Sequence, residues 1–400
     1  MAVTLQVGLE RFQAEPRLGD GWGRCGLLCN QASVTRAYKP AWDVLQECLG
    51  ARLVTLFGPQ HGFAGTAQDN MIETAHARHL GTGLPVHSLY SETREPTAAM
   101  LAGLDTLVID LQIVGCRIYT WKSTIAGCLR AAKASGKKIV VLDRPNPLGG
   151  EVLEGRVLDA DAHSFVGQFP MPMRHGLTAG EAARFFNATI GADLEVVPLA
   201  GWHPKAYWKD LGRPWVLTSP NLPTPEPVYV YPGTVMLEGT NISEGRGTGL
   251  PFQLIGAPYV KTGRHVIDRT RELLQGDAPG VFMREAAFEP TSQKWKGEVC
   301  NGIQLHVTAP EQVRSYRLTL ALIKAFMDVS EGKFQWKQPP YEYDYETLPI
   351  KLIVGSRKVE EHLSPKTFEA GDAFWRAGIS DYVRRVEPFL LYPRKMVDAT

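Results

Sequence analysis

Short apolar runs alternate with helical patterns through the first half of the chain. The apolar runs predict strands at residues 24–30, 52–57, 84–89, 104–110, 137–143 and 194–199. Helices are predicted between them at residues 39–49, 96–102, 121–134 and 178–190, the last with Thr178 as N-cap and Glu181 three residues on. Strands that alternate with helices are typical of parallel βαβ units, whose sheet is covered on both faces. The pattern therefore predicts an α/β fold with a Rossmann-like parallel sheet.

The pattern changes after a stretch at residues 218–227 that holds four prolines in ten residues. Beyond it, helices are predicted at residues 265–274, 317–328 and 380–387, and a short strand at 302–307. Such a mixture is typical of an α+β domain. A chain of 400 residues also exceeds what one hydrophobic core usually serves. We predict a Rossmann-like N-terminal domain at residues 1–227 and a smaller α+β C-terminal domain at residues 228–400.

One polar stretch, PGTVMLEGTNISEGRGTGLP at residues 232–251, interrupts these patterns. It carries Glu238 and Glu244 six residues apart, with Asn241 between them and Arg246 just beyond. Its five glycines tolerate backbone angles that other residues resist, so the stretch is predicted to be a loop. Polar loops on rigid scaffolds often carry function. The alternative is a solvated surface loop with a local Glu–Arg pair.

Further polar residues follow the predicted strands. Ligands of parallel sheets bind beyond the carboxyl ends of the strands. The strand-end segments at residues 30–31, 60–61, 90–94, 110–119 and 143–146 are therefore a candidate binding rim. Asp110 ends an apolar strand, where burial can raise a carboxyl pKa; alternatively it is a structural partner for Arg117 or Arg144. His61 and His175 each precede a glycine and are either structural or functional.

Composition and motifs exclude several classes. With 43 basic and 42 acidic residues the net charge is +1, which gives no argument for nucleic acid or an anionic membrane as partner. No apolar run is long enough to span a bilayer. No GxGxxG follows the first predicted strand, where the sequence reads NQASVTR, and no GxxxxGK[ST] occurs, so a nucleotide cofactor is not supported; no metal-ligand spacing is present either. We therefore expect neither cofactor nor metal. Six scattered cysteines and no signal peptide favour the cytoplasm.

Several longer motifs resemble one known family. They include HGF, TGLPVHSLY, LVIDLQIVG, VLDRPNPLGG, RHGLT, SPN, LEGTNISEGRGT and the terminal FLLY. Together they cover nearly the whole chain in the right order and resemble the exo-β-N-acetylmuramidase family, formerly a domain of unknown function. The resemblance implies a Rossmann-like domain, a smaller second domain and an active site in the cleft between them. It implies release of N-acetylmuramic acid from the non-reducing end of peptidoglycan-derived glycans.

The resemblance also implies which residues form the site. We expect Glu244 as general acid, with Glu238 or Asp110 as the second carboxylate. The substrate's own 2-acetamido oxygen is an alternative nucleophile. Arg117, Arg144 and Arg246 are candidates for gripping the lactyl carboxylate. The remaining matching residues are predicted to bind substrate: His61, Tyr119, Asn146, His175, Asn221 and Asn241.

Two positions depart from the family pattern. Gln60 stands where members often have a glutamate, and Ile113 where they often have an aspartate. These departures motivate an alternative from another class, a non-catalytic protein that binds muropeptides or sugars. A Rossmann-type enzyme with a nucleotide cofactor is a weaker third reading. The oligomeric state is left open by the sequence.

Overall fold

A seven-stranded sheet organises the first half of the protein. The computed structural model describes residues 4–69, 71–363 and 368–400. The sheet has the order β3-β4-β2-β1-β5-β6-β8, and all neighbours are parallel except the β3–β4 pair. Its strands are β1 Cys25–Leu28, β2 Leu53–Gly58, β3 Ala77–Arg78, β4 Pro85–Ser88, β5 Thr106–Ile109, β6 Lys138–Leu142 and β8 Asp193–Val197. The predicted Rossmann-like sheet is confirmed.

Helices connect these strands. They are α1 Gly8–Ala14, α2 Ala41–Leu49, α3 Ala98–Leu101, α4 Trp121–Ser135 and α5 Ala179–Ile190. The predicted cap of α5 is present, since the Thr178 hydroxyl accepts from the amide of Glu181 at 3.2 Å. The Glu181 carboxylate in turn accepts from the amide of Thr178 at 3.1 Å. Strand order reverses at β1, with β2 on one side and β5 on the other, so a crevice opens there.

The second half is built on a smaller, antiparallel sheet of order β10-β11-β9. Its strands are β9 Leu254–Ala257, β10 Val281–Phe288 and β11 Cys300–Val307. The helices are α6 Glu226–Thr234, α7 Gly263–Leu274, α8 Ser315–Val329, α9 Pro349–Val354, α10 Val359–Leu363 and α11 Ile379–Val386. Sequence analysis found only part of β11 and missed β9 and β10. No helix in the described ranges is long and apolar enough to cross a membrane.

The glycine-rich stretch is partly helical, which corrects its prediction as a loop. Helix α6 continues to Thr234, and a 3₁₀ helix follows at Val235–Gly239. Gly233 lies inside α6 because a Cβ there would come within 1.9 Å of the Ser315 carbonyl oxygen. Gly233 therefore allows α6 to pack closely against α8 and does not reverse the direction of the chain. Only the later part of the stretch, with Gly245 and Gly247 at φ of +77° and +79°, makes the expected turns.

The last residues of the chain return to the first sheet. A two-stranded sheet pairs β12, Val397–Asp398, with β7, Val152–Leu153. The Tyr392 hydroxyl donates to Asp143 at 2.6 Å, and Arg394 forms a bidentate pair with Glu181. The C-terminal stretch therefore packs against the N-terminal half of the protein.

Candidate active site

A cavity of about 560 Å³ lies beside the acidic stretch. One wall comes from that stretch, through Glu238, Asn241, Glu244 and Arg246. The adjoining wall comes from residues 333–347, which we call the closing segment; the Asn241 amide donates to the Gln335 carbonyl at 2.9 Å and so joins the two walls. The closing segment contributes Trp336, Tyr341 and Glu342 among others.

Two turns bring the charged groups of the acidic stretch together. Gly245 and Gly247 adopt left-handed angles, and a Cβ at Gly245 would meet the Leu254 carbonyl oxygen at 2.6 Å. The chain therefore folds back sharply around Arg246, whose guanidinium reaches both glutamates. It donates to Glu238 and lies 3.4 Å from Glu244. All three side chains are buried, so the charges compensate each other away from water.

Glu244 also meets a second cation. Lys294 donates to the Glu244 carboxylate at 2.7 Å and to the carbonyls of Leu237 and Ile242. Burial raises the pKa of Glu244, but Lys294 and Arg246 outweigh it and hold that pKa below its usual value. Glu244 is therefore ionised, which argues against the general-acid role that the sequence favours for it.

A smaller recess of about 30 Å³ continues the cavity towards the parallel sheet. Glu238, Arg246, Tyr341 and Glu342 line both spaces. Most other side chains that line the recess come from the first half, among them Gln60, His61, Tyr119, Thr120 and Asn221. The strand-end residues that follow β2 and β5 thus share one enclosed space with the acidic stretch.

The His61 side chain is neutral in this recess. Burial lowers its pKa to about 4, and its Nδ1 lies 2.7 Å from the Ala67 carbonyl. Its backbone has φ of +71°, which is uncommon outside glycine. Asn221 donates to the Gln68 carbonyl at 3.1 Å. His61, Tyr119 and Asn221 stand where a ligand in the recess would touch them.

Asp110 and Arg144 are not among the residues that line either space, which corrects their expected places in the site. Asp110 is fully buried and forms a bidentate ion pair with Arg144, one contact of which is 2.8 Å. Arg144 also donates to the Val34 carbonyl at 3.1 Å. Asp110 is therefore placed as a structural ion-pair partner, which was the alternative to a catalytic role, and the partner is Arg144 and not Arg117.

Arg117 is likewise placed in the interior. Its guanidinium donates to four carbonyls, those of Arg156, Met171, Ile353 and Val354, at 2.7 to 2.9 Å. These bonds occupy both terminal nitrogens, and the fully buried Arg117 lines neither the cavity nor the recess.

Asn146 and His175 also serve the scaffold. Asn146 accepts from the Leu148 amide and donates to the Leu177 carbonyl, while His175 Nδ1 accepts from the Leu177 amide at 3.1 Å. Both are fully buried and neither lines the cavity or the recess. The structure therefore does not bring these two predicted substrate-binding residues together with the others at the cavity.

Sequence reasoning missed Glu342. Tyr90 donates to its carboxylate at 2.8 Å, and the Gln60 side-chain amide donates at 3.2 Å. Thr120 in turn donates to the Gln60 carbonyl oxygen, which fixes the orientation of that amide. In the sequence the residue sits in an aromatic, proline-containing run, PPYEYDYE, with no pattern that marks it as part of a site.

Across residues 4–69, 71–363 and 368–400, no group of three His, Cys, Asp or Glu side chains is placed to hold a metal ion. The cavity joins three buried carboxylates, the Arg246 guanidinium, the ammonium groups of Lys294 and Lys337, and aromatic surfaces that include Trp295 and Trp336. Carboxylates and aromatic rings of this kind suit a sugar ring whose glycosidic bond is to be polarised.

The fold and cavity define a two-sheet α/β protein with an acidic cleft between a Rossmann-like sheet and a smaller antiparallel unit. Residues 25–226 match the N-terminal family of the exo-β-N-acetylmuramidase NamZ, and residues 229–392 match the C-terminal family. The chain is 44% identical over 334 residues to the peptidoglycan β-N-acetylmuramidase NamZ of Bacillus subtilis. That match covers 83% of this chain and 80% of the relative. The chain belongs to the NamZ exo-β-N-acetylmuramidase family.

Two crystal structures of DUF1343 family proteins from Bacteroides fragilis share the fold. One superposes with a TM-score of 0.86 at 29% identity, covering 98% of this chain and all of the other. The second superposes with a TM-score of 0.75 at 26% identity over the same shares. The family resemblance stated from the sequence is confirmed.

Proposed function

We propose that this protein is an exo-acting glycoside hydrolase that releases N-acetylmuramic acid from the non-reducing end of peptidoglycan-derived glycans. The observation that carries the proposal is the convergence of Glu238, Glu244 and Glu342 on one cavity that ends in a narrow recess. Because the narrow recess closes the cavity on the side of the parallel sheet, the cavity suits the end of a glycan and not its middle. Family membership and the similarity to the Bacillus subtilis enzyme support the same reaction.

The charge arrangement suits the chemistry of this substrate. Hydrolysis develops positive charge at the anomeric carbon, which ionised carboxylates stabilise. Glu238 and Glu244 are held beside Arg246 in the cavity wall. Of the three arginines expected to hold the lactyl carboxylate, Arg246 is the one that lines the cavity. Release of a free amino sugar in this way supports a role in cell-wall recycling.

The test uses two chromogenic substrates that differ in the lactyl ether alone: a 4-nitrophenyl β-N-acetylmuramide and the matching β-N-acetylglucosaminide. We expect the muramide to be turned over at least about tenfold faster, since one additional ion pair in a buried site is worth ~1.4 kcal/mol or more. Arg246→Lys keeps the charge but loses the planar fork, and should lower kcat/KM for the muramide more than for the glucosaminide.

The alternative, a binding protein without activity, gives a different result. It predicts no release of chromophore from either substrate and a rise in Tm with the muramide. That outcome would refute the proposed hydrolase.

A further inference from the structure

The closing segment places one carboxyl group between the two halves of the molecule. We infer that Glu342 is the general acid that protonates the leaving glycosidic oxygen, with Gln60 and Tyr90 as its positioning residues. This assignment rests on the proposed hydrolase function. It is carried by the position of Glu342, which lines both the cavity and the recess while its carboxylate is held from the parallel-sheet side.

Contacts of the two neighbouring residues fix the position of Glu342. Tyr341, the residue before, donates to Glu238 at 2.9 Å and so ties the closing segment to the acidic stretch. Arg94 lies 3.7 Å from the centre of the Tyr343 ring, on the other side. Glu342 itself has φ of +44°, a left-handed conformation that a glutamate adopts at a cost in free energy. The surrounding contacts therefore hold a strained backbone that aims one side chain.

The other two buried carboxylates of the cavity are each paired with a cation. Glu238 and Glu244 each pair with Arg246, and Glu244 pairs with Lys294 as well. Glu342, by contrast, has no cation within 4.0 Å in the described part of the chain, and its neighbours are the neutral Tyr90 and Gln60. Burial raises the pKa of Glu342; the hydrogen bonds from Tyr90 and Gln60 and the charge of Arg246 lower it, and the charge of Glu238 raises it further, so that the net direction is upward. Glu342 is thus the carboxyl whose surroundings favour the protonated form.

The step balances as follows. The Glu342 carboxyl gives its proton to the glycosidic oxygen while the bond from that oxygen to the anomeric carbon breaks and its electron pair stays on the leaving oxygen. The acetamido oxygen closes on the anomeric carbon from the opposite face, and a water molecule then adds from the face that the leaving group has left, which returns the electron pair to the acetamido oxygen. The proton that this water loses returns to the Glu342 carboxylate, so the net change is addition of one water across the bond.

Leaving-group dependence tests the assignment. The experiment compares kcat/KM of Glu342→Gln with that of the full-length wild-type protein. The substrates are two aryl β-N-acetylmuramides, one with 2,4-dinitrophenol and one with 4-methoxyphenol as leaving group. Dinitrophenolate departs without a proton, so the variant should lose less than about tenfold on it and on the order of 10³-fold on the methoxyphenyl substrate. The exposed Glu346→Gln, in the same segment, is the matched control and should act as wild type on both.

The wild-type pH profile provides a second readout that needs no variant. An alkaline limb in kcat/KM should appear with the methoxyphenyl substrate and flatten with the dinitrophenyl one.

Gln60→Glu should move that alkaline limb to higher pH, because a second carboxylate beside Glu342 disfavours its ionisation.

Two results overturn the assignment. Equal losses of Glu342→Gln on the two substrates, or an alkaline limb that is the same for both, would show that Glu342 is not the proton donor. A wild-type protein inert towards both substrates would instead overturn the proposed function, and the assignment with it.

Discussion

At the scale of single residues, a buried charge takes its role from the partner beside it. Asp110 looks like a catalytic carboxylate because it ends an apolar strand, but Arg144 neutralises it in the interior. Glu244 looks like an acid within a polar loop, but Lys294, fifty residues on, keeps it ionised. Neither partner is signalled by local sequence. Contacts between residues far apart in the chain decide which carboxylate can carry a proton.

A buried histidine gives a prediction at this scale. Burial, and then the charges of Lys122, Arg394 and Arg117, lower the pKa of His175 from 6.5 to about 3. Between those pH values the unfolded chain binds a proton that the folded protein does not. Protonation of His175 therefore leaves the free energy of unfolding unchanged above pH 6.5. Below pH 6.5 the free energy of unfolding decreases as the pH falls. His175→Asn, whose side-chain oxygen can accept from the Leu177 amide, removes this dependence.

Urea unfolding between pH 7.5 and 5 checks the sign. At pH 7.5 the free energies of unfolding of wild type and variant differ by the packing cost of the substitution alone. Below pH 6.5 the advantage of wild type should shrink by ~1.4 kcal/mol per pH unit. A difference that stays constant with pH would mean that His175 is protonated in the folded protein.

At the scale of elements, the acidic stretch shows why a glycine count misleads. Five glycines predict a loop, yet Gly233 belongs to helix α6 and lies against the N-terminus of α8. Gly239 ends the 3₁₀ helix where a Cβ would meet Ile350 at 2.8 Å. Two later glycines make the turns that place Arg246 between its glutamates. The same residue type serves close packing in one part of the stretch and chain reversal in the other.

Gly233→Ala tests this packing role. A methyl group 1.9 Å from the Ser315 carbonyl oxygen cannot be accommodated unless α6 and α8 move apart. We expect a loss of ~2–3 kcal/mol in the free energy of unfolding, in the range found for overpacked cores. Gly249→Ala is the control in the same stretch, because its Cβ would meet nothing within 4 Å. Equal stability of the two variants, measured by urea denaturation, would contradict the packing role.

At the scale of the whole molecule, the two halves are joined by more than the chain between them. Arg117 of the first half donates to carbonyls of Ile353 and Val354 at the end of α9. Arg394, near the C-terminus, has a fully buried side chain paired with Glu181 in α5. The domain boundary between residues 227 and 228 remains a prediction. The C-terminal stretch packs on the N-terminal half, so the two halves are not separated by a single cut in the chain.

Arg394→Met provides the prediction at this scale. It leaves Glu181 as an uncompensated buried charge, so we expect a loss of ~3–5 kcal/mol in the free energy of unfolding. Arg384→Met, which breaks an exposed pair with Asp381, is the control and should change stability by less than about 0.5 kcal/mol. Unfolding should stay a single transition by both fluorescence and circular dichroism. A small effect of Arg394→Met would mean that the tail contributes little to holding the halves together.

The parallel sheet, the cap of α5 and the family were determined by the sequence alone, because apolar periodicity, capping residues and long motifs are local signals. Glu238, Arg246 and His61 were also found in this way, since polar residues at strand ends and in a glycine-rich stretch stand out against an apolar background. The place of Asp110, Arg117 and Arg144 in the interior, and of Glu342 at the cavity, was decided only by the tertiary structure. The physical reason is that burial and charge pairing depend on residues distant along the chain, which meet only when both sheets have packed.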